Sequence, residues 1–145
     1  IGISSIFPFQ GKKQAALREE LEQLLELVKL TEKRYMKAKT LAYGEQRRLE
    51  IVRALSSGAD LLLLDEPAAG MNPDESSELN ELITRICNSG KTVLLVEHDM
   101  SVVMNISDTV TVINFGEKIA EGNPEDVKQN SLVREAYLGK EEEDE

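Results

Sequence analysis

The chain lacks most of the features that would place a protein outside the cell or within a membrane. Its single cysteine, Cys87, cannot form an internal disulfide, and this suits a reducing compartment. No apolar run approaches the roughly 18 to 20 residues that a membrane-spanning helix needs. The first residues do not have the pattern of a secretory leader. At 145 residues, the chain is therefore expected to be a cytoplasmic protein of about one domain.

Basic residues are in the minority. The chain has 17 Lys and Arg against 27 Asp and Glu, a net charge of −10. Five of the acids form the terminal run Glu141–Glu145, which is most simply a solvated tail and leaves five net negative charges on the rest. This balance argues against non-specific binding to nucleic acid, and we expect no nucleic-acid partner.

The spacing of apolar residues predicts alternating helices and strands, and hence an α/β fold. Residues 1–11 read as an irregular lead-in, and leucines at helical spacing predict a helix from Lys13. Two short apolar segments, Leu61–Leu64 and Thr92–Val96, predict buried strands of a parallel sheet flanked by helices. A hairpin around Phe115-Gly116 is expected at an antiparallel edge of that sheet. Further helices are predicted near 44–57, from Pro73 to Gly90, to about 106, from Pro124, and over 131–138.

Both predicted parallel strands end in charged residues. Asp65-Glu66 follow the first strand and Glu97-His98-Asp99 follow the second. The carboxyl ends of parallel strands meet at one edge of a sheet, where ligands commonly bind. There Asp65 could hold Mg²⁺, and Glu66 could orient or deprotonate a water molecule. This is the Walker B arrangement of nucleotide hydrolases, although a turn carrying two acids before Pro67 would read the same.

Two further features are ambiguous by themselves. His98, the one histidine, should lie near Glu66 and could hydrogen-bond a phosphate or the attacking water. It could equally be an incidental loop residue. The segment from Leu41 to Gly44 opens a helix whose backbone N–H groups could receive phosphate oxygens. It could equally be a plain junction between a loop and a helix.

The order and spacing of these motifs resemble the nucleotide-binding domain of ATP-binding-cassette (ABC) transporters. The sequence LAYGEQRRLEIVRAL precedes LLLLDEPAAGMNP and then TVLLVEHD. With ISD and the ending REAYLG, the phrasing looks most like the ATP-binding subunits of branched-chain amino acid importers. The resemblance implies part of a P-loop NTPase (RecA-like) cassette without its N-terminal Walker A half. Residues 1–58 would complete a helical subdomain, 59–139 the catalytic core, and 140–145 an acidic tail.

The resemblance also implies a role for individual residues. Asp65 would bind magnesium, Glu66 would be the catalytic base, and His98 the switch histidine. The signature motif, which contacts ATP held by the opposite subunit, would be Leu41, Ala42, Tyr43, Gly44 and Glu45. The D-loop, which crosses the dimer interface, would be Ala69, Gly70, Met71 and Asn72.

The chain departs from the family pattern at several of these positions. In the signature LSGGQ, serine is replaced by Ala42, the first glycine by Tyr43 and glutamine by Glu45, so phosphate binding must depend on backbone N–H groups and Gly44. The D-loop aspartate is Asn72, which is equally explained as the cap of a helix that starts at Pro73.

The phosphate-gripping P-loop, G-x-x-x-x-G-K-[ST], does not occur in the sequence. Gly90-Lys91-Thr92 ends a predicted helix and precedes a strand, the reverse of a P-loop, and position 85 is arginine. Gln10 lies too close to the signature to be the family's Q-loop glutamine. We therefore expect the 145-residue chain alone neither to bind ATP tightly nor to hydrolyse it.

The resemblance implies ATP and Mg²⁺ as cofactors of the complete protein, on the inner face of the cell membrane. Its partners would be a second copy or a homologous ATPase subunit, and transmembrane permease subunits. Two alternatives remain at this point. One is a non-transport ABC ATPase of DNA repair, although the helix before the signature lacks the heptads of a long coiled coil. The other is a non-catalytic scaffold or regulatory domain.

Overall fold

A computed structural model describes residues 8–138, and the chain divides into two compact units, Ile1–Leu62 and Leu63–Glu145. No helix among the described residues is long and apolar enough to cross a membrane. In chain order the helices and strands are α1 (Pro8–Leu27), α2 (Tyr43–Leu55), β1 (Leu61–Asp65), α3 (Pro73–Asn88), β2 (Thr92–Val96), α4 (Met100–Ile106), β3 (Val110–Asn114), β4 (Glu117–Gly122), α5 (Pro124–Gln129) and α6 (Ser131–Val133), which continues as a π-helical turn, Arg134–Leu138.

The first helix begins earlier than the sequence predicts. Residues 8–11 belong to α1, so the prediction of an irregular lead-in is wrong for them, and residues 1–7 lie outside the described part of the chain. Proline at the first position of a helix loses no hydrogen bond, because the N–H there has no intrahelical acceptor. Pro8 therefore starts the helix rather than preventing it.

The end of α1 is a Schellman turn built on a lysine. Lys29 adopts a left-handed conformation, with φ of 58°. Its N–H donates to Glu26 O (3.0 Å), and the N–H of Leu30 donates to Leu25 O (2.9 Å). This is the pattern that glycine usually completes. The turn buries Leu30 and leads into two 3₁₀ turns, Thr31–Lys33 and Ala38–Thr40, before α2.

The second helix, α2, packs against α1 and buries one face, including Ile51 and Val52. It ends at Leu55, close to the predicted end, and Gly58 follows with φ of 78°. Glycine adopts that left-handed conformation at no steric cost, so the chain can turn sharply towards β1.

The strands β1 and β2 form the predicted parallel sheet, connected through α3. The apolar stripe of α3 is buried and packs against β2: it comprises Leu79, Leu82, Ile83 and Ile86. The opposite face of the sheet is open, with Leu63 69% and Leu94 58% exposed. The prediction that these strands are buried is therefore wrong for this face among the described residues. Leucine runs normally indicate a sheet covered on both sides, whereas here α3 packs against the sheet and the leucines of its other face are exposed.

The hairpin around Phe115-Gly116 forms where the sequence predicts it, with β3 antiparallel to β4. Phe115 and Gly116 have φ of 47° and 83°, the positive pair that a tight hairpin turn with the right twist requires. Among the described residues, β3 and β4 form a separate two-stranded sheet rather than an edge of the parallel one. Its apolar face packs with the C-terminal helices around a buried cluster of Val110, Val112, Val127 and Val133.

Candidate functional site

The two parallel strands end side by side. Asp65 is the last residue of β1, and the N–H of Glu66 donates to the carbonyl of Val96, the last residue of β2, at 2.8 Å. The hydrogen bond fixes the register of the strand ends. Asp65 and Glu66 are therefore presented at the same edge as the residues that follow β2.

Glu66 adopts a left-handed backbone conformation, with φ of 43°. This conformation costs a residue with a Cβ roughly 1–2 kcal/mol and often marks functional sites. It is held on both sides, because the Glu66 N–H bonds to β2 and its carbonyl accepts the N–H of Ala69 at 3.1 Å. The chain therefore turns directly after β1.

The side chain of Glu66 lies beside that of His98. Their atoms Oε1 and Nδ1 are 3.3 Å apart, and both side chains are accessible, 53% and 70% exposed respectively. The predicted proximity of these residues is observed. An accessible carboxylate next to an imidazole can bind one water molecule between them and can accept a proton from it.

Glu97 contributes a contact that sequence reasoning missed. Its Oε1 accepts the N–H of Ala68 at 2.9 Å and so ties the loop after β1 to the end of β2. The next acid, Asp99, caps α4 by accepting the N–H of Ser101, also at 2.9 Å. Hydrogen bonds from Ser101 hold the pKa of Asp99 below its ordinary value. The sequence signal for these contacts was the run Glu97-His98-Asp99. In the structure each of the three residues has its own partner: Ala68, Glu66 and Ser101 respectively.

The segment predicted as the D-loop links Glu66 to α3. Gly70 has φ of 76°, which favours glycine at that position. Asn72 then caps the helix: its Oδ1 accepts the N–H of Glu75 at 3.0 Å, and Glu75 Oε2 accepts the N–H of Asn72 at 3.1 Å. This reciprocal capping box gives Asn72 a structural role. Ala69, Gly70 and Met71 lie between the two anchored points.

The segment predicted as the signature belongs to the first unit and opens α2. Ala42 is the N-cap residue but has no side-chain oxygen with which to cap. Two side chains hold the segment instead. Glu45 Oε2 accepts the N–H of Ala42 at 3.1 Å, and the Gln46 amide donates to the carbonyl of Leu41 at 2.8 Å. Gly44 is buried in the first turn, and Tyr43 stacks beneath the guanidinium of Arg47.

Glu45 also has a cationic partner. Nζ of Lys33, from the first 3₁₀ turn, donates to Glu45 Oε1. The hydrogen bond from Lys33, together with that from Ala42, holds the pKa of Glu45 below its ordinary value of 4.5. At neutral pH the start of α2 therefore carries an ionised carboxylate, Glu45, whose negative charge is balanced by Lys33.

The carboxylates at the strand ends suit a magnesium ion that takes most of its ligands from phosphate and water. In the part of the chain that the structure describes, no three His, Cys, Asp or Glu side chains are arranged to hold a metal. Mg²⁺ commonly takes one or two protein carboxylates and completes its shell with phosphate oxygens and water. Asp65 provides one such carboxylate, so the residues present fit part of a magnesium–nucleotide site.

Two family models match different parts of the chain. The model described as "ABC transporter" matches residues 4–69, and one described as "Branched-chain amino acid ATP-binding cassette transporter" matches residues 117–143. The chain is also 50% identical over 133 residues to the high-affinity branched-chain amino acid transport ATP-binding protein LivG of Salmonella typhimurium. The chain belongs to the ABC transporter family.

Other relatives of this cassette are also ATP-binding proteins of ABC transporters. It is 52% identical over 116 residues to the high-affinity branched-chain amino acid transport ATP-binding protein BraF of Pseudomonas aeruginosa, covering 79% of this chain and 46% of BraF. The solved structure of MJ1267 in its ADP conformation, an ATP-binding cassette of an ABC transporter, superposes with a TM-score of 0.77 at 30% identity. That match covers 86% of this chain and 51% of MJ1267.

This cassette spans about half the length of the curated relatives it matches: the match to LivG covers 91% of this chain and 52% of LivG. Its fold is accordingly that of a partial P-loop NTPase cassette. Gly90 follows α3 and Thr92 begins β2, so Gly90-Lys91-Thr92 joins a helix to a strand, opposite to the order in a P-loop.

Proposed function

We propose that the chain is the C-terminal part of the ATP-hydrolysing subunit of an ABC importer for branched-chain or related amino acids. The observation that carries this proposal is the Glu66–His98 pair at the shared strand edge, next to Asp65. The names of LivG and BraF supply the substrate class. The family match at residues 117–143 favours a transporter over an ABC ATPase of DNA repair.

At this site each side chain has a distinct task. Asp65 would help to hold the magnesium ion of bound ATP, and that ion would supply charge neutralisation at the phosphates. Glu66 accepts a proton from the attacking water, and His98 fixes the water and the carboxylate by hydrogen bonding. The left-handed backbone of Glu66 supports this assignment, because residues with a Cβ adopt that conformation at a cost and often do so at functional sites.

The remaining motif residues act at an interface between two cassettes. Leu41, Ala42, Tyr43, Gly44 and Glu45 meet the ATP of the opposite subunit at the start of α2, where the helix dipole favours phosphate. The D-loop of Ala69, Gly70, Met71 and Asn72 reaches the same interface. The second cassette is another copy or a homologous ATPase subunit, and permease subunits recruit both to the inner face of the membrane. Residues 1–58 complete the helical subdomain, 59–139 the catalytic core, and 140–145 a tail.

The proposal is tested in the full-length protein by replacing Glu66 with glutamine. General-base catalysis contributes about 10²- to 10⁴-fold, and we expect a loss of ATP hydrolysis of that size. Binding of ATP should persist, because phosphate contacts lie elsewhere. The matched control is Glu117→Gln, which removes an exposed carboxylate from β4. Equal hydrolysis by the two variants would exclude Glu66 as the base.

A further inference from the structure

The predicted signature of this chain places an acid where the family pattern has glutamine. Glu45 lies in the first turn of α2, at the helix end that is proposed to face phosphate. A carboxylate there complements the helix dipole. It would also repel the phosphate oxygens of ATP if its charge were not balanced.

The structure provides that balance through Lys33. Glu45 is only 16% exposed, and each of its oxygens is engaged: Oε1 by Lys33 and Oε2 by the N–H of Ala42. The carboxylate therefore has a fixed direction and a cation at hydrogen-bond distance. Lys33 comes from the 3₁₀ turn that precedes the signature, so the pair also joins that turn to the start of α2.

We propose that Lys33 is a positioning residue for the signature, which neutralises Glu45 and holds it against Ala42 so that ATP of the opposite subunit can approach. This inference rests on the proposed function and concerns a residue outside the motif. Lys33 acts through Glu45, and its loss should matter only while position 45 carries a negative charge.

The test is a double-mutant cycle in the full-length protein, with Lys33→Met, Glu45→Gln and the two combined. Lys33→Met should raise the KM for Mg-ATP on the order of tenfold, the size expected for losing a charge-assisted hydrogen bond, with a smaller change in kcat. In the Glu45→Gln background the same substitution should change KM by less than about twofold. Lys33→Arg should restore nearly normal KM, and Lys39→Met, which removes an exposed charge nearby, should leave it unchanged.

A second readout does not depend on turnover. Addition of the non-hydrolysable analogue AMP-PNP with Mg²⁺ should drive dimerisation in sedimentation experiments. Lys33→Met should weaken this only when Glu45 is present, and an NMR titration should show the pKa of Glu45 returning towards its ordinary value. Equal effects of Lys33→Met in both backgrounds would overturn the role of Lys33 while leaving the proposed function intact. If the unmodified full-length protein neither hydrolyses ATP nor dimerises, the proposed function fails and this inference fails with it.

Discussion

His98 Nδ1 lies 3.3 Å from Glu66 Oε1, although the two residues follow different strands. The hydrogen bond from the Glu66 N–H to Val96 O brings the ends of those strands together. The backbone of Glu66 is left-handed at this point, and its side chain lies beside the imidazole. The main chain thus brings the two residues to one edge of the sheet, where their side chains meet.

This relationship predicts that His98→Ala lowers ATP hydrolysis by the full-length protein about 100-fold or more, since the water and carboxylate lose a hydrogen-bonding partner. Stability should change by less than about 0.5 kcal/mol, because the His98 side chain is largely exposed. Steady-state hydrolysis and urea unfolding measure the two effects. Unchanged hydrolysis by a folded His98→Ala variant would show that the imidazole is incidental.

A second prediction separates the structural role of Asn72 from any role at an interface. Asn72→Ala removes the capping oxygen and should destabilise the protein by about 1 kcal/mol. Asn72→Asp, which restores the residue of the family pattern, keeps that oxygen and should retain the stability. Denaturant unfolding of both variants checks this. An alanine variant as stable as the aspartate variant would contradict the capping role.

The Lys33–Glu45 pair predicts a pH dependence of stability. Because the pKa of Glu45 is lower in the folded chain than its ordinary value of 4.5, the folded state binds this proton less tightly than the unfolded state. The stabilisation is therefore present above that value and is lost as the pH falls through the lowered pKa. Lys33→Met should reduce stability at neutral pH and flatten its decline in acid. The free energy of unfolding is measured from neutral to acidic pH for the unmodified protein and for Lys33→Met. Parallel pH dependences of the two would refute the prediction.

The open face of the parallel sheet predicts self-association of the isolated 145-residue chain. Leu63, Leu94 and Val96 lie on this face and are more than half exposed. Exposed apolar strands promote association. Replacing Leu63 and Leu94 with threonine introduces a polar, β-branched side chain that suits a strand, and it should shift sedimentation towards monomer. Threonine at the exposed Leu132, remote in sequence, is the control. A monodisperse monomer at high concentration without any substitution would contradict the prediction.

Many helix starts and turns of this fold could be predicted from the sequence, because they depend on the backbone preferences of a few neighbouring residues. Asn72-Pro73 starts α3 and Phe115-Gly116 forms the hairpin turn, as their backbone preferences dictate. The burial of β1 could not be predicted from its leucines, because burial depends on what covers the strand. The side-chain contacts of the candidate site are subject to the same limit, because they too depend on which residues the fold brings together.

The strand-end placement of Glu66 and His98 followed from the apolar runs that precede them. The contacts of Glu97 with Ala68 and of Lys33 with Glu45 did not, because they join residues 29 and 12 positions apart through side-chain geometry. A charged residue in a sequence does not reveal which partner the folded chain will bring to it. Both contacts depend on the conformation of the turns before α2 and after β2.

We propose that Asp65, Glu66 and His98 form one part of an ATP-hydrolysing site, and that the P-loop that binds the phosphates lies outside these residues. The most direct measurement is ATP hydrolysis by the purified 145-residue chain, alone and when joined to the P-loop-containing N-terminal half of a branched-chain relative. We expect no turnover from the chain alone, and turnover from the joined protein that Glu66→Gln abolishes. Robust hydrolysis by the chain alone, or turnover by the joined protein that is indifferent to Glu66, would contradict it.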